Sequence, residues 1–257
     1  MYPILFKLGP IPIHSYGVLL AIGCAVGIWW ASRNADRAEI ESGQVVDVGI
    51  IVVLLGLVGA RLAYVGLNWA DYGSHLGEII AVWDGGLTFF GGLVLGGVAG
   101  LLWAWANQVS IPKLADLMAP AIAVAYAVSR IGCFLNGCCY GHECGMAWAV
   151  RFYADGGDML TVPSHPVQVY SSILSLVLFA LLLWLMRRGL PDGRLFGIWV
   201  VLSSLERIFV ETFRRGATAE PLWGALTQAQ AFSLLLAVLG VIIILRSGRK
   251  AAPRHVG

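Results

Sequence analysis

The sequence predicts an all-α polytopic membrane protein: a bundle of seven transmembrane helices with the N-terminus outside and the C-terminus cytoplasmic. Four observations predict it. Hydrophobic residues make up 58% and charged residues 12% of the 257 positions, whereas a soluble domain carries about 25% charged residues. Mean hydropathy is +0.78. Seven continuous apolar stretches approach the roughly 20 helical residues that cross about 30 Å of hydrocarbon. Lysine and arginine gather on one side of those stretches.

The stretches run over about 16–32, 45–67, 86–106, 115–131, 168–186, 194–212 and 227–245. Backbone groups in lipid are satisfied within the chain, so such runs form helices; strands of a barrel would alternate. With the N-terminus outside, the cytoplasmic side holds Arg33, Arg37, Lys113, Arg187, Arg188, Arg194, Arg246, Arg249, Lys250 and Arg254. The outer side holds Lys7, Arg151, Arg214 and Arg215. This is the positive-inside bias. The first run reads as a span rather than a removable leader, because only Lys7 precedes it and no small-residue cleavage pattern follows.

Residues 1–257 read as a single transmembrane domain with outer loops at about 68–85, 132–167 and 213–226. The longest loop carries Asp155, Gly156, Gly157, Asp158, Pro163 and Pro166, and long loops in compact proteins are usually functional. Trp69, Tyr72 and Trp83 suit the membrane interface. Gly23 with Gly27, and the series Gly92, Gly96 and Gly100, are small-residue patterns for close helix packing. Asp84 is a candidate helix cap. A net charge of +2 points away from nucleic acid as a partner.

Arg61, Arg130 and Arg207 remain inside the spans, all in their outer halves, with Asp47, Glu206 and Glu211 as the acidic counterparts. Each arginine costs about 2.5–3.5 kcal/mol at a helix centre facing lipid, so these groups face the bundle interior or the headgroup zone. Ser203, Arg207 and Glu211 are spaced four apart and share one helix face. A structural ion pair explains Arg207 with Glu211. Three arginines at one depth, with only Glu206 and Glu211 near, suggest an anionic ligand, and a phospholipid headgroup is the abundant anion there.

SRIGCFLNGCCYGHECG, residues 129–145, gathers four of the five cysteines and His142. Vicinal cysteines chelate one ion poorly, and zinc sites favour C-x2-4-C spacing, so no metal and no cofactor is expected. A disulfide from Cys144 to Cys138 or Cys139 is the natural pairing on an oxidising face. Arg130 lies one turn before Cys133 and could favour a thiolate. The bland alternative is that these cysteines fill small semi-buried positions, as Cys24 does.

Several stretches together resemble the prolipoprotein diacylglyceryl transferase family. They are LGPIPIHSYG (8–17), GARLAY (59–64), WDGGLTFFGG (83–92), SRIGCFLNGCCYG (129–141), PSHPVQVY (163–170) and ERIFVETFRR (206–215). The resemblance implies a seven-span enzyme of the bacterial inner membrane. It would move the diacylglyceryl group of phosphatidylglycerol to the lipobox cysteine of a prolipoprotein signal peptide and release glycerol phosphate. Carried over by position, Arg130 matches the family's headgroup-binding arginine. Tyr16, Asn136, Gly141, Arg207 and Glu211 match other functional positions, and His165 and Gln168 match the HPxQxY element. Arg61 joins these as a substrate contact. The chain departs from the family pattern at Phe90, where histidine is usual, at Cys133, where asparagine is usual, and at Cys138, where an acidic residue is usual. The thiols thus read as replacements in a headgroup loop, dispensable for transfer because the acceptor brings its own thiol. The alternatives are a membrane thiol oxidoreductase built on residues 133–144, and a paralogue that binds phospholipid without transfer.

Overall fold

Each apolar run forms a helix in the computed structural model, which describes residues 2–9, 11–73, 76–82, 85–153, 162–215, 221–223 and 226–247. Trp83, Asp84, residues 155–158, Arg249, Lys250 and Arg254 lie outside the described residues. The chain opens with an antiparallel hairpin, β1 (Ile4–Leu8) and β2 (Ile11–His14), which passes directly into α1 (Ser15–Arg33). There follow α2 (Ser42–Leu67), the single-turn α3 (Trp69–Tyr72), α4 (Phe89–Ala106), α5 (Ile111–Asn136), α6 (Val167–Met186) and α7 (Arg194–Glu211). A short pair, β3 (Pro221–Trp223) and β4 (Leu226–Thr227), precedes α8 (Gln228–Ser247). All of the long helices except α7 are long and apolar enough to cross a membrane, so this is a polytopic membrane protein. Helix α7 has 18 residues but carries Glu206, Arg207 and Glu211.

Two features depart from the sequence expectation. Helix α5 runs to Asn136, five residues past the expected end at 131, so Cys133 is helical. The hairpins are strand structure in a chain read as all-α. They are too short and too proline-interrupted to show a clear alternating pattern.

The chain divides into two compact units, Met1–Trp30 with Ala115–Gly257, and Ala31–Leu114. In the larger unit, α1 meets α5 through glycine. A Cβ on Gly23 would lie 2.6 Å from the Ala125 carbonyl oxygen, and one on Gly27 would lie 2.7 Å from that of Ala121. Helices without a hydrophobic driving force between them associate by such close backbone approach. Gly197 and Gly240 do the same for α7 and α8. Ala119 and Ala123 of α5, Leu178 and Leu182 of α6, and Leu195 of α7 close the apolar core between those helices.

Asp116 of α5 sets the start of α7. Its carboxylate accepts hydrogen bonds from the backbone N–H of Gly193 and of Phe196, both at 2.7 Å. The first turn of a helix leaves such donors without partners, and a carboxylate there also suits the helix dipole. Gly193, at φ 83°, turns the chain into that position. In the smaller unit, α2 and α4 cross so closely that Gly59 and Gly91 each face the other's backbone, and Gly96 sits against Val52.

Gly23→Leu should lower the stability of the protein in detergent by about 1–3 kcal/mol, the usual cost of overpacking. Gly66→Ala, where nothing lies within 4 Å of the added Cβ, should leave it unchanged. Thermal unfolding of the two variants checks this; equal melting temperatures would remove the glycine contact between α1 and α5 as a structural constraint.

Candidate active site

The site is built at the C-terminal end of α5. The helix stops in a left-handed turn at Gly137, φ 78°, where the absence of a Cβ removes the steric penalty. The Gly137 N–H donates to the Phe134 carbonyl and the Cys138 N–H to the Cys133 carbonyl, each at 3.2 Å, the paired bonds of a Schellman cap. Cys139 is also left-handed, φ 64°. The chain therefore folds back over the last turn of α5. The Cys133, Cys138 and Cys139 sulfurs lie within 4.8 Å of one another.

Arg130, one turn earlier, stacks its guanidinium over the Tyr126 ring at 4.6 Å from the centroid. Its Nε is sealed from solvent and has no hydrogen-bond partner. No carboxylate forms an ion pair with it among the described residues. Tyr16, at the start of α1, is held beside this end of α5 because Gly132 leaves room for its backbone, with 3.2 Å from an ideal Gly132 Cβ to the Tyr16 Cα. The Tyr16 hydroxyl lies within the electrostatic reach of Arg130 and the three thiols. Asn136 hydrogen-bonds the Cys138 thiol.

The C-terminal end of α7 supplies the second cluster. Arg207 and Glu211, one turn apart, form an ion pair at 2.5 Å, with the Glu211 side chain fully buried. Arg214 places its Nε 3.8 Å from the same carboxylate oxygen. One carboxylate thus lies between two arginines. The field of Arg130 reaches Arg207 as well. Glu206 lies within the electrostatic reach of Arg130 and Arg207, accepts a hydrogen bond from Ser175 Oγ at 2.9 Å and lines an apolar groove of about 300 Å³ with Leu178, Leu202 and Phe209.

The loop after α5 is tied to both clusters. The Gly141 N–H donates to the His165 carbonyl at 3.0 Å, and the His142 N–H to the Phe213 carbonyl at 2.9 Å; Gly141 and Arg214 form a β-bridge. A Cβ at Gly141 would collide with the Phe213 carbonyl and the Val167 and His165 side chains, so only glycine fits. Gln168, 1% exposed, donates from Nε2 to the Cys138 carbonyl at 2.6 Å and holds the cysteine turn. His165 Nδ1 lies 3.1 Å from the Tyr170 hydroxyl, which in turn accepts from Trp148 Nε1 at 2.8 Å.

Tyr16, Arg130, Asn136, Gly141, His165, Gln168, Arg207 and Glu211 all belong to the larger unit and are joined by these contacts. Arg61 belongs to the smaller one. Its guanidinium donates to the carbonyls of Ile79, Gly85, Gly86 and Glu78 at 2.6–3.0 Å, and Tyr72 packs 5.3 Å from it. It clamps the loop between α2 and α4, with Tyr72 packed against the clamp. Phe90 makes an edge-to-face contact with Phe89.

The expected disulfide is not formed. All five cysteines are free thiols, and the Cys144 N–H is drawn away to the Pro163 carbonyl at 3.0 Å. Within the trio, hydrogen bonds from the Cys133 and Cys138 thiols push the Cys139 thiol down from its usual range, with Arg214 and Arg130 adding to the effect. Tyr126 and Arg214 were missed in sequence. The first could have been found by its four-residue spacing to Arg130; the second was counted as a loop cation.

The fold defines a polytopic membrane protein, and the candidate site sets Arg130 at the end of α5 beside an Arg207–Glu211–Arg214 cluster at the end of α7. The sequence pattern of the prolipoprotein diacylglyceryl transferase family matches residues 3–246. A phosphatidylglycerol–prolipoprotein diacylglyceryl transferase of Geobacillus kaustophilus is 35% identical over 250 residues, covering 93% of this chain and 90% of that protein. Proteins of the same name from Bacillus velezensis and Synechococcus elongatus are 31% and 32% identical, covering 95% and 93% of this chain and 91% and 85% of theirs. The chain belongs to the prolipoprotein diacylglyceryl transferase family.

Removing one member of the Arg207–Glu211 pair should be worse than removing both. A single buried charge left unpaired costs about 3–5 kcal/mol, so Arg207→Gln or Glu211→Gln should melt well below the double variant. Equal and mild effects of all three on thermal unfolding would mean that this face of α7 meets water.

Proposed function

We infer that this protein transfers the diacylglyceryl group of phosphatidylglycerol to the lipobox cysteine thiol of prolipoproteins, releasing glycerol phosphate, in the bacterial inner membrane. The observation that carries the reading is the buried Nε of Arg130 with no partner. A sealed guanidinium N–H without a partner is costly in isolation and well satisfied by a phosphate oxygen. Charge-assisted contacts of that kind run at about 2.7–2.9 Å.

In the reaction, the acceptor thiolate attacks the glyceryl carbon that bears the phosphate ester. The C–S bond forms, the C–O bond to phosphate breaks, and the electron pair leaves on glycerol phosphate. Negative charge therefore grows on the leaving group, and donors fixed in advance stabilise it without reorganising. Arg130 meets the phosphate directly. Arg207 is held in place by Glu211, and Arg214 adds its field; Glu206 and Glu211 against three arginines leave the site positive. Tyr16 and Asn136 border the headgroup position as polar contacts. Gly141, His165 and Gln168 hold the loop that closes over it.

The full topology belongs to the same reading. Seven spans with the N-terminus outside put the ends of α5 and α7 at the outer leaflet, where a translocated acceptor arrives. Helix α7 is counted with the six apolar spans, bringing the total to seven, because its ionic face turns to the site and not to lipid.

Arg130→Gln should lower transfer from phosphatidylglycerol to a lipobox peptide by roughly 100-fold or more, the usual loss when one preorganised donor is removed, with unchanged thermal stability. Activity within a few-fold of wild type would exclude Arg130 as the phosphate contact. For the topology, a membrane-impermeant thiol reagent added to intact cells should label Cys144 but spare a cysteine introduced by Arg187→Cys. The reverse pattern would overturn the assignment of the site to the outer leaflet.

A further inference from the structure

We propose that Cys133, Cys138 and Cys139 form a three-thiolate zinc site whose fourth coordination position takes the acceptor's thiol and activates it for transfer. The inference rests on the transferase reading and adds to it the means by which the acceptor is deprotonated.

Geometry comes first. Tetrahedral zinc with bonds of about 2.3 Å to sulfur separates its ligands by about 3.8 Å. The three sulfurs already lie within 4.8 Å of one another, so closing on one ion takes shifts of about 1 Å or less. Vicinal cysteines ordinarily point apart, which argued against a metal in the sequence. Here Gly137 and Cys139 both take left-handed conformations, and the turn brings both sulfurs to the side of Cys133.

The supports are those of a metal site. Cys133 sits in the last turn of a long helix, buried. The Cys138 carbonyl is fixed by the buried Gln168 amide at 2.6 Å, and Asn136 bonds the Cys138 thiol. Such outer partners orient ligands and set affinity. Three thiolates around a divalent cation leave one negative charge, and a fourth thiolate leaves two; Arg130 and Arg214 lie within electrostatic reach of the trio. Three thiols cannot all pair with one another as disulfides, and on an oxidising face a bound ion keeps such a cluster reduced.

Chemistry gives the fourth position its occupant. Structural zinc is closed by four protein ligands, whereas a site with three keeps a position for substrate. The substrate of this reaction is a thiol, and a thiol that coordinates zinc is deprotonated outright. Its proton passes to water. The bound thiolate then forms the C–S bond as the C–O bond to phosphate breaks, and the electron pair departs on the glycerol phosphate beside Arg130. The thioether product is a weaker ligand and leaves; no atom changes oxidation state through an outside reagent. The other candidate base, Glu211, is already engaged by Arg207 and Arg214.

The test uses the full chain in nanodiscs, purified reduced and without oxygen. Metal content should show one zinc per chain. Exchange for cobalt(II) should give thiolate-to-cobalt charge-transfer absorption. Cys133→Ser, Cys138→Ser and Cys139→Ser should each weaken cobalt binding by about tenfold or more, while Cys24→Ser and Cys144→Ser retain it. A lipobox peptide should shift the cobalt d–d bands, and its cysteine-to-serine analogue should not. Chelation should abolish transfer, restored by zinc, with phosphatidylglycerol binding intact. Reduced wild-type protein that binds neither zinc nor cobalt, or binds copper alone, overturns the proposal. So does cobalt binding that survives all three serine variants, or a peptide that leaves the spectrum unchanged. Undiminished transfer by metal-free protein overturns it while the transferase reading stands. Absence of transfer from both metal-free and zinc-loaded protein overturns the transferase reading itself.

Discussion

The rest of the structure depends on a guanidinium with no anion of its own. Arg130 sits near the end of α5 with a sealed Nε that no protein group satisfies, next to an aromatic face that tolerates a cation. Glu211 is committed to Arg207 and Arg214, and Glu206, though within electrostatic reach of Arg130, is bonded to Ser175. Inside a membrane protein this arrangement is unstable as a closed structure, because charge in a low-dielectric interior needs a partner. It becomes favourable when an anionic headgroup enters. Under the proposed function, the same imbalance would recruit the lipid and then stabilise the departing glycerol phosphate.

The scaffold holds the long helices against one another by close backbone contact. Gly23 and Gly27 let α1 lie on the backbone of α5, which brings Tyr16 to Gly132 and thence to Arg130. Asp116, near the other end of α5, caps α7. One helix therefore carries both the headgroup arginine and the anchor of the helix that bears Arg207 and Glu211. Gly141 then locks the loop after α5 to the end of α7, where a side chain would collide with Phe213. A residue far from the chemistry can thus shift the arginines relative to one another, and a misplacement of about 1 Å can cost on the order of 100-fold in rate.

Much of this was legible in the sequence because membrane solvation leaves strong marks. Apolar runs give spans, and charged residues within them mark Arg130, Arg207 and Glu211. What escaped depended on tertiary geometry. Arg61 looked like its two counterparts in type and depth, yet its donors meet four loop carbonyls, and no one-dimensional pattern reports a backbone acceptor. Arg214 looked like a loop cation until the bridge to Gly141 brought it to Glu211. The thiols were misjudged for a similar reason. Spacing suggested a Cys144 disulfide, while two left-handed residues at the helix end gather Cys133, Cys138 and Cys139 instead. The Gly137 cap was readable in principle, since glycine after a long helical run favours a Schellman turn. The left-handed Cys139 was not.

The most direct measurement is an experimental structure with phosphatidylglycerol bound. A phosphate oxygen should lie about 2.7–2.9 Å from Arg130 Nε, with the Arg207–Glu211 pair unbroken. A lipid phosphate seated elsewhere, with the Arg130 Nε still without an anionic partner, would contradict the central claim.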